Sequence, residues 1–319
     1  MYLGKKKVVG MKSVEFDSFG GPEVLHVRER PEPGPIDGRC RIRVSARTVN
    51  VSDIEIRRGD YPELIENAVF PAILGWDFAG TLIDPTDTLP AGTPVGGYVQ
   101  WIGSEAGRGT YAEVIAAKPE YVSEIPADVD PNRAAVLGMN ALTGAQATDL
   151  LGKLPGANVF ITGASGPVGL AAALIAMDCG ANVYVSGSAD DPYLEGLGFA
   201  GVIQRATAAE MAAQLRELVP DGADALFNAG VASQEIMDGV RDGGRFVRAH
   251  ELESTYSMRN VEVSTVLVRP DSRRLSELFR TRLVDHTRIA DVQRLEEAAA
   301  VHRRVEAGGM KGQKIVLAS

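Results

Sequence analysis

Two rhythms of apolar and polar positions divide the chain. From Ser13 to about Ile125, short β-rich runs such as Arg41-Ile-Arg-Val-Ser and Gly109-Thr-Tyr-Ala-Glu-Val-Ile are separated by Gly, Pro and Asp. This pattern predicts a β-rich, barrel-like first third. Within it, Pro31-Glu-Pro-Gly-Pro-Ile-Asp-Gly reads as turn or loop, because its prolines fix φ and its glycines permit reversals.

After Pro131 the rhythm changes. A helical stretch to Leu150 is followed by the apolar strand Asn158-Val-Phe-Ile-Thr, a Gly-rich turn and an apolar helix from Val168 to Cys179. A second strand, Asn182-Val-Tyr-Val-Ser, completes a βαβ unit. Then come an Ala- and Glu-rich helix near Thr207 to Leu218, strand Asp224-Ala-Leu-Phe-Asn, a short helix and strand Arg245-Phe-Val-Arg. Strands alternating with helices imply a parallel sheet covered on both faces. The tail adds a strand at Val261 to Val268, a charged helix after Pro270, an Ala-rich helix around Leu295 to Val305 and a last strand, Lys314-Ile-Val-Leu. It is expected to return to the first domain.

The turn Thr162-Gly-Ala-Ser-Gly-Pro-Val-Gly carries the first chemical signal. Gly163 would allow a tight exit from the strand, Gly166 a close approach of backbone N–H groups to a pyrophosphate, and Gly169 close packing of helix on sheet. Pro167 suits the first helical turn, where its missing N–H costs nothing. A Ser-nucleophile elbow is excluded, because Pro167 stands where that motif needs glycine. The second strand ends in Ser186-Gly-Ser, with no acidic residue at its tip to hold a ribose hydroxyl. That favours NADPH, with Arg205 the nearest downstream cation. NADH remains the alternative, since Asp190 and Asp191 follow closely.

Composition narrows the classes. A net charge of −9, with Lys and Arg dispersed, leaves no basic footprint for nucleic acid. The longest apolar run, Val168 to Met177, is about half of what a bilayer crossing needs. No signal-peptide layout stands at the N-terminus, so a cytoplasmic address is expected. Cys40 and Cys179 are far apart and support neither a disulfide framework nor a cysteine zinc site.

From Met11 onward several motifs agree on one resemblance. Met11-Lys-Ser-Val-Glu-Phe-Asp-Ser-Phe-Gly-Gly-Pro-Glu-Val-Leu, Val49-Asn-Val-Ser-Asp, Arg58-Gly-Asp-Tyr-Pro, Leu74-Gly-Trp-Asp-Phe-Ala-Gly, Val268-Arg-Pro-Asp and Lys314-Ile-Val-Leu resemble landmarks of the medium-chain dehydrogenase/reductases, in their zinc-independent quinone oxidoreductase and enoyl reductase branch. The resemblance implies an α/β fold with a GroES-like β-rich substrate domain from residues 11–134 and 271–319. A Rossmann doubly wound parallel-sheet cofactor domain would occupy 135–270, with the site in the cleft between them. Residues 1–10 lie outside the resemblance and are assigned no function.

Zinc-dependent relatives hold their catalytic metal with Cys, His and Cys; the matching positions here carry Asn50, Trp76 and Met139, so no zinc is expected. Hydride transfer to a polarised acceptor, an enone or enoyl group or a quinone, is then implied, with hydrogen-bond donors in place of metal. By the same resemblance Tyr61 is the candidate proton or hydrogen-bond donor, or else a wall of the cleft, and Asn50 and Asp53 position substrate or hold the loop. Thr143 resembles the threonine that contacts the nicotinamide. Ser165, Val168, Ser186, Ser188, Arg205, Asn228 and Val268 join the glycines and Pro167 as cofactor-binding candidates. Some positions depart from the pattern: Glu55 sits where bacterial quinone reductases often have tyrosine, and Asn228-Ala-Gly replaces the usual Asp and Val-Gly. A dinucleotide-binding protein with little catalysis is therefore the reading from another class. The apolar edge expected at Val261 to Val268 invites a homodimer by sheet extension.

Overall fold

A computed structural model describes residues 10–61, 70–102, 108–187, 192–230, 232–249 and 259–319. Ser188, Asp190 and Asp191 lie outside the described residues. The chain forms two units. One comprises residues up to Met139, Pro270–Met310 and Lys314–Ser319, and the other Asn140–Arg269 with Lys311–Gln313.

The first unit opens with β1 (Gly10–Phe16), β2 (Leu25–Pro31), β3 (Cys40–Thr48), α1 (Val51–Arg58), β4 (Ala72–Ile73), β5 (Asp77–Leu82), β6 (Pro94–Tyr98), β7 (Val114–Ala117) and β8 (Val122–Glu124). α2 (Pro131–Leu150) leads to the second unit, which holds β9 (Asn158–Thr162), α3 (Pro167–Asp178), β10 (Asn182–Gly187), β11 (Gly201–Gln204), α4 (Ala208–Leu218), β12 (Ala223–Asn228), β13 (Val240–Arg248) and β14 (Glu262–Thr265). The chain then returns through α5 (Ser272–Leu278), β15 (Ile289–Arg294), α6 (Ala298–Glu306) and β16 (Lys314–Ala318).

In the first unit a seven-stranded sheet runs β15-β16-β3-β5-β6-β8, with β7 also on β3, beside a three-stranded sheet β2-β1-β4. Every pairing in both is antiparallel except β15 with β16. Alternation along β3 buries Cys40, Ile42, Val44 and Ala46 and turns Arg43 and Ser45 away from that core, as a half-buried strand should. In the second unit the order β11-β10-β9-β12-β13-β14 is parallel throughout. Counting β9 as first, this is the order 3-2-1-4-5-6 of a doubly wound nucleotide-binding sheet. Val159, Phe160 and Ile161 of its central strand are fully buried, because helices cover both faces. α3 packs there through Gly169, Leu170, Ala171, Ala172, Ala173, Leu174 and Ala176, small side chains that let helix and sheet come close. The class is mixed α/β, with a GroES-like antiparallel unit and a Rossmann unit.

Four elements differ from the sequence reading. Of the run from Gly109 to Ile115, only Val114 and Ile115 enter a strand, because Gly109, Thr110 and Tyr111 donate instead to the carbonyls of Ile73, Gly75 and Leu74. The segment after Val49 is a helix, α1, closed at Gly59 in the left-handed region. The strand expected at Val261 to Val268 is ordered as β14 only over Glu262–Thr265, and Ile289–Arg294 is a strand that periodicity did not single out.

Candidate functional site

Two groups of residues carry chemistry, one in each unit. In the Rossmann unit, β9 ends at the point where strand order reverses between β9 and β12, the usual place for a ligand in such sheets. Gly163 there has φ +68, and a Cβ on it would lie 3.1 Å from the Gly230 nitrogen after β12. A Cβ on Gly169 would fall 2.6 Å from the Gly163 carbonyl oxygen. Gly166 is different. It caps α3 in extended conformation with no side-chain bond, and a Cβ on it would meet only the Gly163 oxygen, at 3.4 Å. The protein itself leaves room there, and the first-turn N–H groups of α3 have no side-chain cap, so the turn fits a diphosphate.

Other candidates gather around this turn. The Ala164 N–H donates to the Ser186 carbonyl (2.9 Å), and Ser165 Oγ lies 2.5 Å from where a Cβ on Gly187 would be. The Arg205 N–H bonds the Gly187 carbonyl (3.2 Å), which brings Arg205 to the tip of β10. On α2, a Cβ on Gly144 would lie 2.7 Å from the Val168 carbonyl, so the turn bearing Thr143 packs on the start of α3. Gln146, one turn on, exchanges two hydrogen bonds with the backbone of Arg269, next to Val268. Asn228, another of the candidates, has Oδ1 accepting from Thr162 Oγ1 (2.7 Å) and Nδ2 donating to the Ala232 carbonyl (2.7 Å). The sequence reading missed the segment 311–313. A Cβ on Gly312 would lie 1.7 Å from the Ser165 carbonyl, so this backbone rests on the glycine turn and only glycine fits. Beside it, Lys311 brings a cation to the same segment.

In the antiparallel unit, Asn50 precedes α1 and Asp53 reaches back to its N–H (2.8 Å), half of a capping box. The other Asp53 oxygen accepts from the Gly75 N–H (3.0 Å). The Asn50 side chain turns elsewhere: Nδ2 donates to Asp77, and Oδ1 accepts from the Lys314 ammonium at 2.7 Å. Asp77 also accepts from the Met139 N–H. Thus one carboxylate, Asp77, ties together Asn50, Met139 and, through the chain, Trp76. Burial pushes the Asp53 and Asp77 carboxyls up, to about 7 each, against the pull of their N–H donors and Lys314. Burial likewise lowers Lys314, opposed by the two carboxylates.

Asp77 and Lys314 were not singled out from sequence as site residues, because their partners lie 27 and 264 positions away from them. Trp76 packs beside Tyr98 and Trp101, with ring centroids 6.0 and 5.7 Å away. Tyr61 follows the end of α1 and is partly exposed, and Glu55 lies on α1 itself.

Comparison with known proteins gives this geometry its setting. Residues 36–127 match the alcohol dehydrogenase GroES-like domain. Over 173 residues the chain is 33% identical to the quinone oxidoreductase of Lama guanicoe, covering 53% of this chain and 50% of that protein. It is 29% identical over 243 residues to one component of the phenolphthiocerol/phthiocerol polyketide synthase of Mycobacterium tuberculosis, 73% of this chain and 11% of that one. The chain thus spans about half or less of the curated relatives it matches. Among solved structures, the quinone oxidoreductase from Coxiella burnetii superposes with a TM-score of 0.84 at 23% identity, over 98% of this chain and 100% of that one. An NAD-dependent alcohol dehydrogenase gives 0.81 at 25%, over 97% and 99%.

An antiparallel GroES-like unit interrupted by a Rossmann unit is a two-part dehydrogenase architecture. Residues 36–127 carry the alcohol dehydrogenase GroES-like domain, and the chain as a whole is similar to quinone oxidoreductases and alcohol dehydrogenases of the medium-chain dehydrogenase/reductase kind.

Proposed function

We propose that this protein is an NAD(P)H-dependent reductase that acts on an enone or enoyl acceptor without a catalytic metal. The observation that carries the reading is the uncapped start of α3 at Gly166, with open space where a side chain would be, at the switch point of the sheet. When bound, the reduced nicotinamide supplies a hydride, which adds to the β-carbon of the acceptor. The electron pair of the double bond moves to the carbonyl oxygen, and the α-carbon takes a proton. Gly163, Ser165, Gly166, Val168 and Gly169 would hold the diphosphate, Thr143 and Val268 would line the nicotinamide side, and Lys311 would add a positive charge. Arg205, beside the tip of β10 and without a side-chain partner among the described residues, favours NADPH over NADH.

The positions that match zinc ligands do not fit that metal. An amide, an indole and a thioether are poor zinc donors, and the amide of Asn50 is already bonded to Asp77 and Lys314. Tyr61 would return the proton, since a phenol keeps its hydrogen at neutral pH. The aromatic trio of Trp76, Tyr98 and Trp101 favours quinone as the second acceptor class, because flat rings stack on flat rings.

Anaerobic stopped-flow with NADPH, 2-cyclohexen-1-one and a benzoquinone tests the proposal. Oxidation of NADPH by the enone supports it, and oxidation by the quinone alone moves the protein to the second class. Tight NADPH binding with no oxidation by either would leave a dinucleotide-binding protein with little catalysis.

We also place a second copy of the chain against β14, the last strand of its sheet among the described residues, near which Leu267 is 75% exposed. Light scattering should then give twice the monomer mass for the wild type and a monomer for Leu267→Arg. A wild type that is monomeric at micromolar concentration overturns this placement.

A further inference from the structure

We propose that the indole N–H of Trp76 is the hydrogen-bond donor that receives the carbonyl oxygen of the acceptor. The inference rests on the reductase reading above and adds a residue to it.

Trp76 is held firmly from both sides. Its carbonyl accepts from the Val99 N–H at 2.8 Å, and the next residue, Asp77, is fixed by Asn50 and the Met139 N–H. Its side chain is 8% exposed, and Nε1, its one polar atom, has no hydrogen-bond partner among the described residues. A buried donor left without a partner is costly, and folded proteins keep few such groups. Some other buried unpartnered atoms, Arg57 Nε and His302 Nδ1 among them, belong to side chains that make a bond through another atom, whereas the hydroxyls of Thr48, Ser52 and Thr110 are single groups that can rotate. The Trp76 indole makes none.

The surroundings suit a conjugated carbonyl compound. Tyr98 and Trp101, both buried, stand 6.0 and 5.7 Å from the Trp76 ring and make its surroundings largely apolar. Hydride addition puts negative charge on the carbonyl oxygen, and an N–H fixed before the reaction stabilises that charge more than it does the neutral carbonyl. The Lys314 ammonium, bonded to Asn50 on the same hydrogen-bonded network, offsets the two buried carboxyls that would otherwise repel it.

The chain has two tryptophans, so a 15N spectrum of the full-length protein shows two indole N–H peaks, assigned with Trp76→Phe and Trp101→Phe. Titrating 2-cyclohexen-1-one into protein saturated with NADP+ should move the Trp76 peak downfield. In turnover, Trp76→Phe keeps an aromatic ring and loses the donor. It should lower kcat with the enone by about 100-fold, the usual loss for one oxyanion donor, with the NADPH Kd unchanged. Trp76→His, which retains an N–H, should recover part of that loss.

A Trp76 peak that stays in place at saturating enone overturns the inference, as does a folded Trp76→Phe with wild-type kcat. If that variant fails to fold, the wild-type spectrum alone decides. Failure of the reductase reading looks different: wild-type protein binds NADPH but oxidises none with any enone. The downfield movement of the Trp76 peak then decides by itself whether the indole binds carbonyl oxygen.

Discussion

Gly166→Ala should abolish most dinucleotide binding while leaving the fold almost untouched. A Cβ at that position meets one protein atom, at 3.4 Å, and alanine is a slightly poorer helix cap than glycine. The expected cost to stability is at most about 1 kcal/mol, a few degrees in Tm. The same methyl group would occupy the space through which backbone N–H groups reach a diphosphate. Loss of two charge-assisted hydrogen bonds, at about 1.5–3 kcal/mol each, weakens NADPH by about 100-fold or more. Cofactor fluorescence titration beside a thermal melt reads both effects. An unchanged Kd would show that the turn does not grip the cofactor. Gly169→Ala gives the contrast, because its Cβ would lie 2.6 Å from the Gly163 oxygen and must disturb the fold first.

The second large effect is expected at Lys314. Asp53 and Asp77 ionise near 7 in the folded chain, and an aspartate in an unfolded chain ionises near 4. Their folded values are raised, so their contribution to stability is complete below about pH 4 and is lost as pH rises through about 7. Lys314→Met removes the cation that opposes this loss. At pH 8 two buried carboxylates are then left without it, and stability should fall by about 3–5 kcal/mol. At pH 5, where both carboxyls hold protons, the variant should approach the wild type. Urea denaturation at the two pH values tests this, and a deficit that is equal at both, or larger at pH 5, refutes the assigned charges.

The parts of this molecule legible in its sequence were those set by local rules. Apolar runs marked β9, β10 and β12, and the three-residue spacing of Gly163, Gly166 and Gly169 marked the turn between strand and helix. The fold class followed from the order in which strands and helices alternate. What was not legible depends on contacts between distant segments. Asp77 reads as an ordinary residue beside Trp76 until the fold brings Asn50 and Met139 to its oxygens. Lys314 reads as the first residue of a strand, yet its ammonium reaches the cap of α1. The role of Gly312 is equally hidden, since nothing in its neighbours announces the Ser165 carbonyl against which it rests. Asn228, which pattern associates with the cofactor, also ties the end of β12 to Thr162 of β9 and to the loop at Ala232, contacts that its neighbours in sequence do not announce.

The two-sided use of Asp53 has a consequence for how this protein can be altered. One carboxyl oxygen secures the start of α1 at Asn50, and the other secures the Gly75 backbone, so exchanging Asp53 loosens two segments together. If the proposed reductase activity holds, new acceptor preferences are therefore hard to reach by drift at residue 53, whether in nature or in the laboratory. Tyr98 is a freer place to vary, because it contributes a ring to the wall and no carboxylate staple. A mutant library aimed at altered selectivity should keep residues 50, 53 and 77 constant and spend its diversity on that wall.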